Sequence, residues 1–277
     1  MEVTIREDDD MRLTPRQKEW NKMLRAEEEF LLKGASKKET KLNQLLAGKV
    51  PDKLQETLDA AFAKAFEMIF EKGTGIIEKT YKKDELEHEF QVNQYAASIK
   101  ENKKTLRKFG KKTNSANAKN LLLTSVEGVG MGALGVGLPD IPVFVGVLLK
   151  SVYEVALNYG YKYDTPEEKY FILKLIETSL SHGSALVGGN VDLNRFIESR
   201  KLPPNYNLAA QIRDTSSTMS KELLYLKFLQ GIPVVGAVGG AYNTVYLQKV
   251  LSYAKLKYQR RFLHDKDAGD WTPDDAC

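Results

Sequence analysis

The sequence predicts an all-α protein, a multi-helix bundle with two apolar helical segments interrupted by glycine and proline. Two observations carry this. Capping residues repeatedly precede apolar stripes with i, i+3, i+4 spacing. β-Branched runs such as Val143-Phe144-Val145 and Ile232-Pro233-Val234-Val235 are short and embedded in helical punctuation.

The elements follow in order. Thr14-Pro15-Arg16-Gln17 combines a cap, a proline at the first helical position and a capping-box glutamine, so a helix begins there. Trp20, Leu24 and Leu31 share its apolar face until Lys33-Gly34 closes it. A short helix is expected from Lys37 to Ala47. After Pro51, the residues Leu54, Leu58, Phe62, Ala65, Phe66 and Ile69 form a stripe that stops at Gly73. Asp84 and Glu87 make a further capping box, with Leu86, Phe90 and Ile99 beyond it. Asp140 reads as an N-cap with Pro142 in the first turn, giving a helix from about Ile141 to Tyr159 closed by Gly160. Thr165-Pro166-Glu167-Glu168 opens the next helix, which ends near His182-Gly183. Gly183 to Asn190 reads as a glycine-rich loop before a short helix from Val191. Lys221 to Gln230 is helical, Gly231 and Pro233 interrupt it, and a long helix resumes to about Leu263. The expected organisation is a flexible 1–13, a single helical domain over 14–264 and a flexible tail over 265–277.

The two apolar segments are Leu121 to Leu149 and Phe228 to Leu247. A single membrane span needs about 20 predominantly apolar residues. Pro139, Asp140 and Pro142 divide the first segment, so a helical hairpin fits better than one continuous span. Three readings stand side by side: a span, a hairpin docking against one leaflet, and glycine-faced helices packed in a core. Glu127 at mid-bilayer would cost about 2.5–3.5 kcal/mol and needs a polar partner. Glu127, Asp140, Glu154 and Asn243 are the polar groups placed in apolar surroundings. Glu127 and Asn243 are expected to share one polar spot where the segments meet; helix capping alone explains Asp140.

Charge bears on the same choice. Between Lys100 and Lys119 the chain is strongly basic, and Lys103, Lys104, Arg107, Lys108, Lys111 and Lys112 precede the first segment. Lys255, Lys257, Arg260 and Arg261 follow the second. Each such residue near an anionic leaflet contributes about 1 kcal/mol, so these clusters are expected to face a membrane surface. Solvated helix faces are the plainer explanation for either run alone. The formal net charge of +4 is too small to imply nucleic-acid binding.

Catalytic chemistry is thinly supplied. Three histidines limit metal and acid–base schemes. Glu85-Leu-Glu-His88 has the spacing of di-iron bundles, but the sequence contains no second copy. Ser181-His182 is the sole nucleophile–base adjacency, and sequence neighbours rarely make such a pair; capping of a helix C-terminus is the simpler role for His182. The glycine-rich runs lack the GK[ST] ending of a phosphate loop. The one cysteine, Cys277, allows no disulfide framework and fits a reducing, cytoplasmic compartment; the acidic N-terminus has no apolar core for a secretory signal.

Three blocks in order carry a resemblance: Glu127-Gly128 through Leu138-Pro139-Asp140-Ile141-Pro142, then Ala156 to Gly160 with Pro166-Glu167-Glu168, then Gly231 to Asn243. Together they resemble the EcsC family, from the Trp20 region to about Leu263. The resemblance implies a bacterial protein, cytoplasmic or membrane-associated, since the founding member is named for an operon encoding an ABC transporter. It provides no catalytic residues to carry over, and the residue chemistry gives no reason to expect a metal or cofactor. The function expected is therefore a non-enzymatic cytoplasmic protein that binds peripherally to an anionic membrane surface or a membrane protein complex. The alternatives are a hydrolase-like enzyme on a lipid or envelope precursor, using Glu127, Asp140 or His182, and a soluble carrier of a small apolar ligand.

Overall fold

The computed structural model describes residues 13–35, 52–72, 84, 87–88, 90–94, 104, 141–229 and 241–268. Seven helices can be delimited among them: α1 (Pro15–Ala35), α2 (Asp52–Lys72), α3 (Ile141–Asn158), α4 (Pro166–Leu180), α5 (Gly183–Ser199), α6 (Leu208–Leu229) and α7 (Ala241–Ala268). No strand occurs among the described residues, so the all-α class stands.

Local chemistry sets several boundaries as expected. The backbone N–H of Thr14 donates to Gln17 Oε1 at 2.9 Å while Gln17 N–H donates to Thr14 Oγ1 at 3.2 Å, a closed capping box. Thr165 Oγ1 accepts from Glu168 N–H at the start of α4, with Pro166 in the first turn. Gly160 ends α3 with φ +81, a left-handed conformation that a side chain resists. The stripe on α2 is buried at Leu58, Phe62, Ala65, Phe66 and Ile69.

Other expectations need correction. Gly183 to Asn190 is not a loop but the first half of α5, because α4 ends two residues earlier at Leu180. His182 is the N-cap residue of α5, its side chain makes no capping bond, and Ser181 caps α4. The inward face of α1 runs through Glu19, Met23 and Glu27, whereas Leu24 is exposed. Asp84 lies within helix instead of capping it, and α7 continues to Ala268, so Asp265 and Lys266 belong to the bundle. The helix expected over Lys37 to Ala47 lies outside the described residues.

Paired contacts fix the helix directions. Phe144 meets Tyr246 and Tyr159 meets Phe262, so α3 and α7 run parallel with their starts together. Tyr253 and Lys257 reach Asn190 and Asn194 in the same order, which makes α5 parallel to α7. Phe30 stacks on Tyr253 while Arg16 donates to the Lys266 carbonyl, so α1 runs against them. Gln211 and Thr215 of α6 reach the Tyr170 and Leu173 carbonyls of α4, a parallel pair. The large core occupies the middle, and α7 is buried on most sides, from Tyr246 and Val250 to Tyr258 and Phe262.

Helix α3 is long and apolar enough to cross a membrane by length and composition, and 67% of it is buried inside the protein. Its less buried positions, Val143, Gly146, Lys150, Glu154 and Asn158, form one helical stripe. The remaining faces carry core residues such as Phe144, Leu148, Val152 and Val155. In this bundle α3 is a core helix.

Candidate functional site

Two polar constellations lie inside the bundle. In the first, Glu27 of α1 stands between two cations of α7. The Lys257 ammonium donates to Glu27 Oε1 at 2.7 Å and to Asn194 Oδ1 at 2.7 Å. Arg260 donates to Glu27 Oε2 at 2.9 Å. Burial pushes the Glu27 carboxyl up, but the charges and hydrogen bonds of Lys257 and Arg260 outweigh it and hold the group down at about 2. Burial also pulls Lys257 down to about 8, against the attraction of Glu27. Glu168 makes the matching contact to α7, accepting from Tyr258 and Arg261 at 2.5 Å each. Asp265 accepts from Tyr161 at 2.6 Å and pairs with Arg200.

These contacts correct the expected membrane-facing surface. Lys257 is fully buried, and Arg260 and Arg261 point into the bundle, so none of the three presents charge to a lipid surface. A buried ammonium without a carboxylate would cost several kcal/mol, roughly, which is why each cation faces an acid from another helix. Lys255 is partly exposed and burial lowers its pKa. Lys104 is exposed; Lys103, Arg107, Lys108, Lys111 and Lys112 lie outside the described residues.

The second constellation joins the end of α4 to α6 and α7. His182 Nε2 lies 2.8 Å from Glu222 Oε2, and Lys249 donates to Glu222 Oε1 at 3.1 Å. His182 and Glu222 are both nearly excluded from solvent, and Tyr225 packs edge-on to the imidazole. Burial raises the Glu222 pKa, yet the His182 hydrogen bond and the Lys249 charge bring it below the usual carboxylate value. His182 Nδ1 is buried without a hydrogen-bond partner among the described residues. The neighbouring Ser181 hydroxyl donates to the Glu177 carbonyl, so it is not offered to His182. One carboxylate, Glu222, meets His182 within hydrogen-bonding distance; sequence reasoning missed it because it lies 40 positions away.

Of the polar groups singled out in the sequence, Glu154 lies on the outer stripe of α3, 3.9 Å from Lys150, its pKa raised by burial against that cation. Glu127, Asp140 and the side chain of Asn243 lie outside the described residues. His88 is exposed. Among the described residues no group of three His, Cys, Asp or Glu side chains could hold a metal ion.

The helix directions give this end of the bundle its meaning. Phe144 and Tyr246 stand edge to face with ring centroids 5.3 Å apart, in the opening turns of α3 and α7. Each of those helices is preceded by a glycine-rich apolar stretch, so both stretches join the bundle at one end. The His182–Glu222–Lys249 group lies toward the same end, beside the start of α5.

Fold and interior thus define an all-α protein whose helices are held together by buried acid–base contacts. The EcsC protein family matches residues 16–263, and the chain belongs to that family. It is also similar to the uncharacterised protein YdbA of Bacillus subtilis (strain 168), with 28% identity over 137 residues. That alignment covers 48% of this chain and 49% of the relative, so the chain spans about half of that protein's length. No solved structure matches.

Proposed function

We propose that the chain is a non-enzymatic, cytoplasmic protein that associates peripherally with the inner face of a membrane, or with a transporter-type membrane complex. The end of the bundle where both glycine-rich stretches join is the surface of contact. The observation behind this reading is the Phe144–Tyr246 contact, which brings the starts of α3 and α7 together. Two apolar stretches joined at one end can engage one surface, whereas stretches at opposite ends could not. The basic run 100–119 directly precedes the first stretch in sequence and supplies attraction to anionic lipid. With Lys257, Arg260 and Arg261 committed inside, this run carries the electrostatic share by itself. Flotation with phosphatidylglycerol vesicles tests the reading: binding at low salt that weakens at high salt is expected, and no binding at either contradicts it.

The second reading is a hydrolase-like enzyme on a lipid or envelope precursor. What favours it is His182, oriented by Glu222, with Nδ1 unpartnered among the described residues. Incubation with labelled membrane lipid extract separates the two: product formed by the wild type and lost in His182→Ala supports the enzyme.

The third reading is a carrier whose cavity is lined by the glycine-rich stretches. A cavity among the described residues lies between α4, α5 and α6.

A further inference from the structure

Exposed apolar side chains gather on one side of one end of the bundle. A Cβ on Gly34 would run into Leu186, so the last turn of α1 stands beside the first turn of α5. Helix α1 runs against α5 and α7, which places its end with their starts, where the glycine-rich stretches join. Three large apolar residues are exposed in this region: Leu32 at 65%, Val187 at 44% and Val245 at 49%. Ser184, Ala185 and Gly188 are exposed beside Val187 on α5.

Charge is sparse there. Helices α5 and α7 carry no charged residue before Asp192 and Lys249. Neither has an acid in its first turn, although the helix dipole favours one. The last turn of α1 adds a cation, Lys33, paired with Glu29 one turn further back. The opposite side of this end differs. Helix α2 begins there, since Gln55 reaches Ser220 and Phe62 packs on Phe144, while Phe70 meets Lys169 at the start of α4. Its opening turns expose Asp52, Lys53 and Glu56.

We propose that Leu32, Val187 and Val245 rest in the headgroup–acyl boundary of an anionic bilayer, so that the bundle leans onto its α1–α5 side. The inference rests on the membrane reading above and adds two things to it: an orientation, and lipid as the occupant of this face. The face is continuous with the end through which the glycine-rich stretches enter, and apolar groups flanked by a lysine suit an anionic interface. Depth divides the exposed positions. An interfacial element sinks about 5–10 Å. At 1.5 Å per residue, Val187 lies about 6 Å and Val191 about 12 Å from the start of α5, and Leu24 lies about 12 Å behind Leu32 on α1. Leu32 and Val187 enter the apolar layer, Val191 stands at its margin and Leu24 outside it.

The test uses the full chain with Cys277→Ser, so that one introduced cysteine carries the environment-sensitive dye NBD. Leu32→Cys, Val187→Cys, Val191→Cys and Leu24→Cys are each labelled and mixed with phosphatidylglycerol vesicles at low salt. Emission should rise about twofold at positions 32 and 187, less at 191 and not at 24. A nitroxide placed high on the acyl chain should quench the first two. Leu32→Asp with Val187→Asp should weaken vesicle binding about tenfold, because two like charges are brought to an anionic surface. Leu24→Asp with Val191→Asp should change it little. All four side chains are exposed, so the melting temperatures of both pairs should match the wild type. Vesicle binding with equal emission at all four positions would overturn the orientation and leave the membrane reading standing. A wild type that binds no vesicles removes both. A rise at 32 and 187 on concentrating the protein without vesicles would give the face to a second copy and overturn the lipid assignment.

Discussion

Lys257 and Glu27 form a direct ion pair, 2.7 Å apart, across 230 positions of sequence. The ammonium is fully buried on α7 and the carboxylate is nearly so on α1. Two helices from opposite ends of the chain are thereby fixed in register by a contact that water barely reaches. Such pairs are expensive to break, because removing one partner leaves the other charge buried and unpaired.

Glu27→Gln leaves Lys257 and Arg260 short of a counter-charge, and at neutral pH it should destabilise the protein by about 3–5 kcal/mol. The loss should depend on pH. Folding lowers the Glu27 pKa from 4.5 to about 2, so the unfolded chain takes up the proton first as acid is added. The contribution is full above pH 4.5 and disappears as pH falls toward 2. Urea melts at pH 7 and pH 3 measure this: the gap between wild type and variant should narrow at the lower pH, and a constant gap would refute the assignment.

The His182 ring should carry a proton on Nε2. Glu222 is held below the usual carboxylate pKa, so it is ionised and can only accept. Long-range ¹H–¹⁵N spectra of the imidazole should therefore report a protonated Nε2 at pH 7, lost as a fixed signature in Glu222→Ala. An unprotonated Nε2 would contradict the geometry.

Adjacent glycines in α5 should respond in opposite ways to alanine. A Cβ on Gly189 would lie 2.3 Å from Thr178 Oγ1, whereas one on the exposed Gly188 meets nothing within 4 Å among the described residues. Gly189→Ala should cost about 1–3 kcal/mol through overpacking. Gly188→Ala should stabilise the helix by about 0.5–1 kcal/mol. Thermal melts of the two variants should move to either side of the wild type; a shared direction would place α5 wrongly against α4.

The capping chemistry was legible because it is local. Thr14 with Gln17, Thr165 with Glu168, and Gly160 each declare a boundary within a few residues, and the structure keeps all three. Long-range charge pairing was not. The basic half of α7 reads as a solvated face because its acids lie on α1 and α4, far away in sequence. A signal was present nonetheless: Tyr246, Val250, Tyr253 and Lys257 follow i, i+4, i+7, i+11 spacing, so the lysine continues an apolar stripe. Glu19 and Glu27 likewise flank Met23 on the inward face of α1, where a search for apolar periodicity passes over them. Gly183 to Asn190 misled for a different reason. Helix propensity counts its glycines against a helix, while packing between α4 and α5 needs Gly189 small.

Vesicle flotation of charge-inserted variants tests the proposed membrane surface most directly. Leu134→Asp with Val234→Asp places one carboxylate in each glycine-rich stretch. Leu24→Asp with Val191→Asp makes the same charge change at exposed positions on the sides of α1 and α5. On phosphatidylglycerol vesicles at low salt, the first pair should abolish flotation and the second should leave most of it. Equal flotation of both pairs, or loss of flotation in the second pair only, would contradict association through the end of the bundle that Phe144 and Tyr246 define.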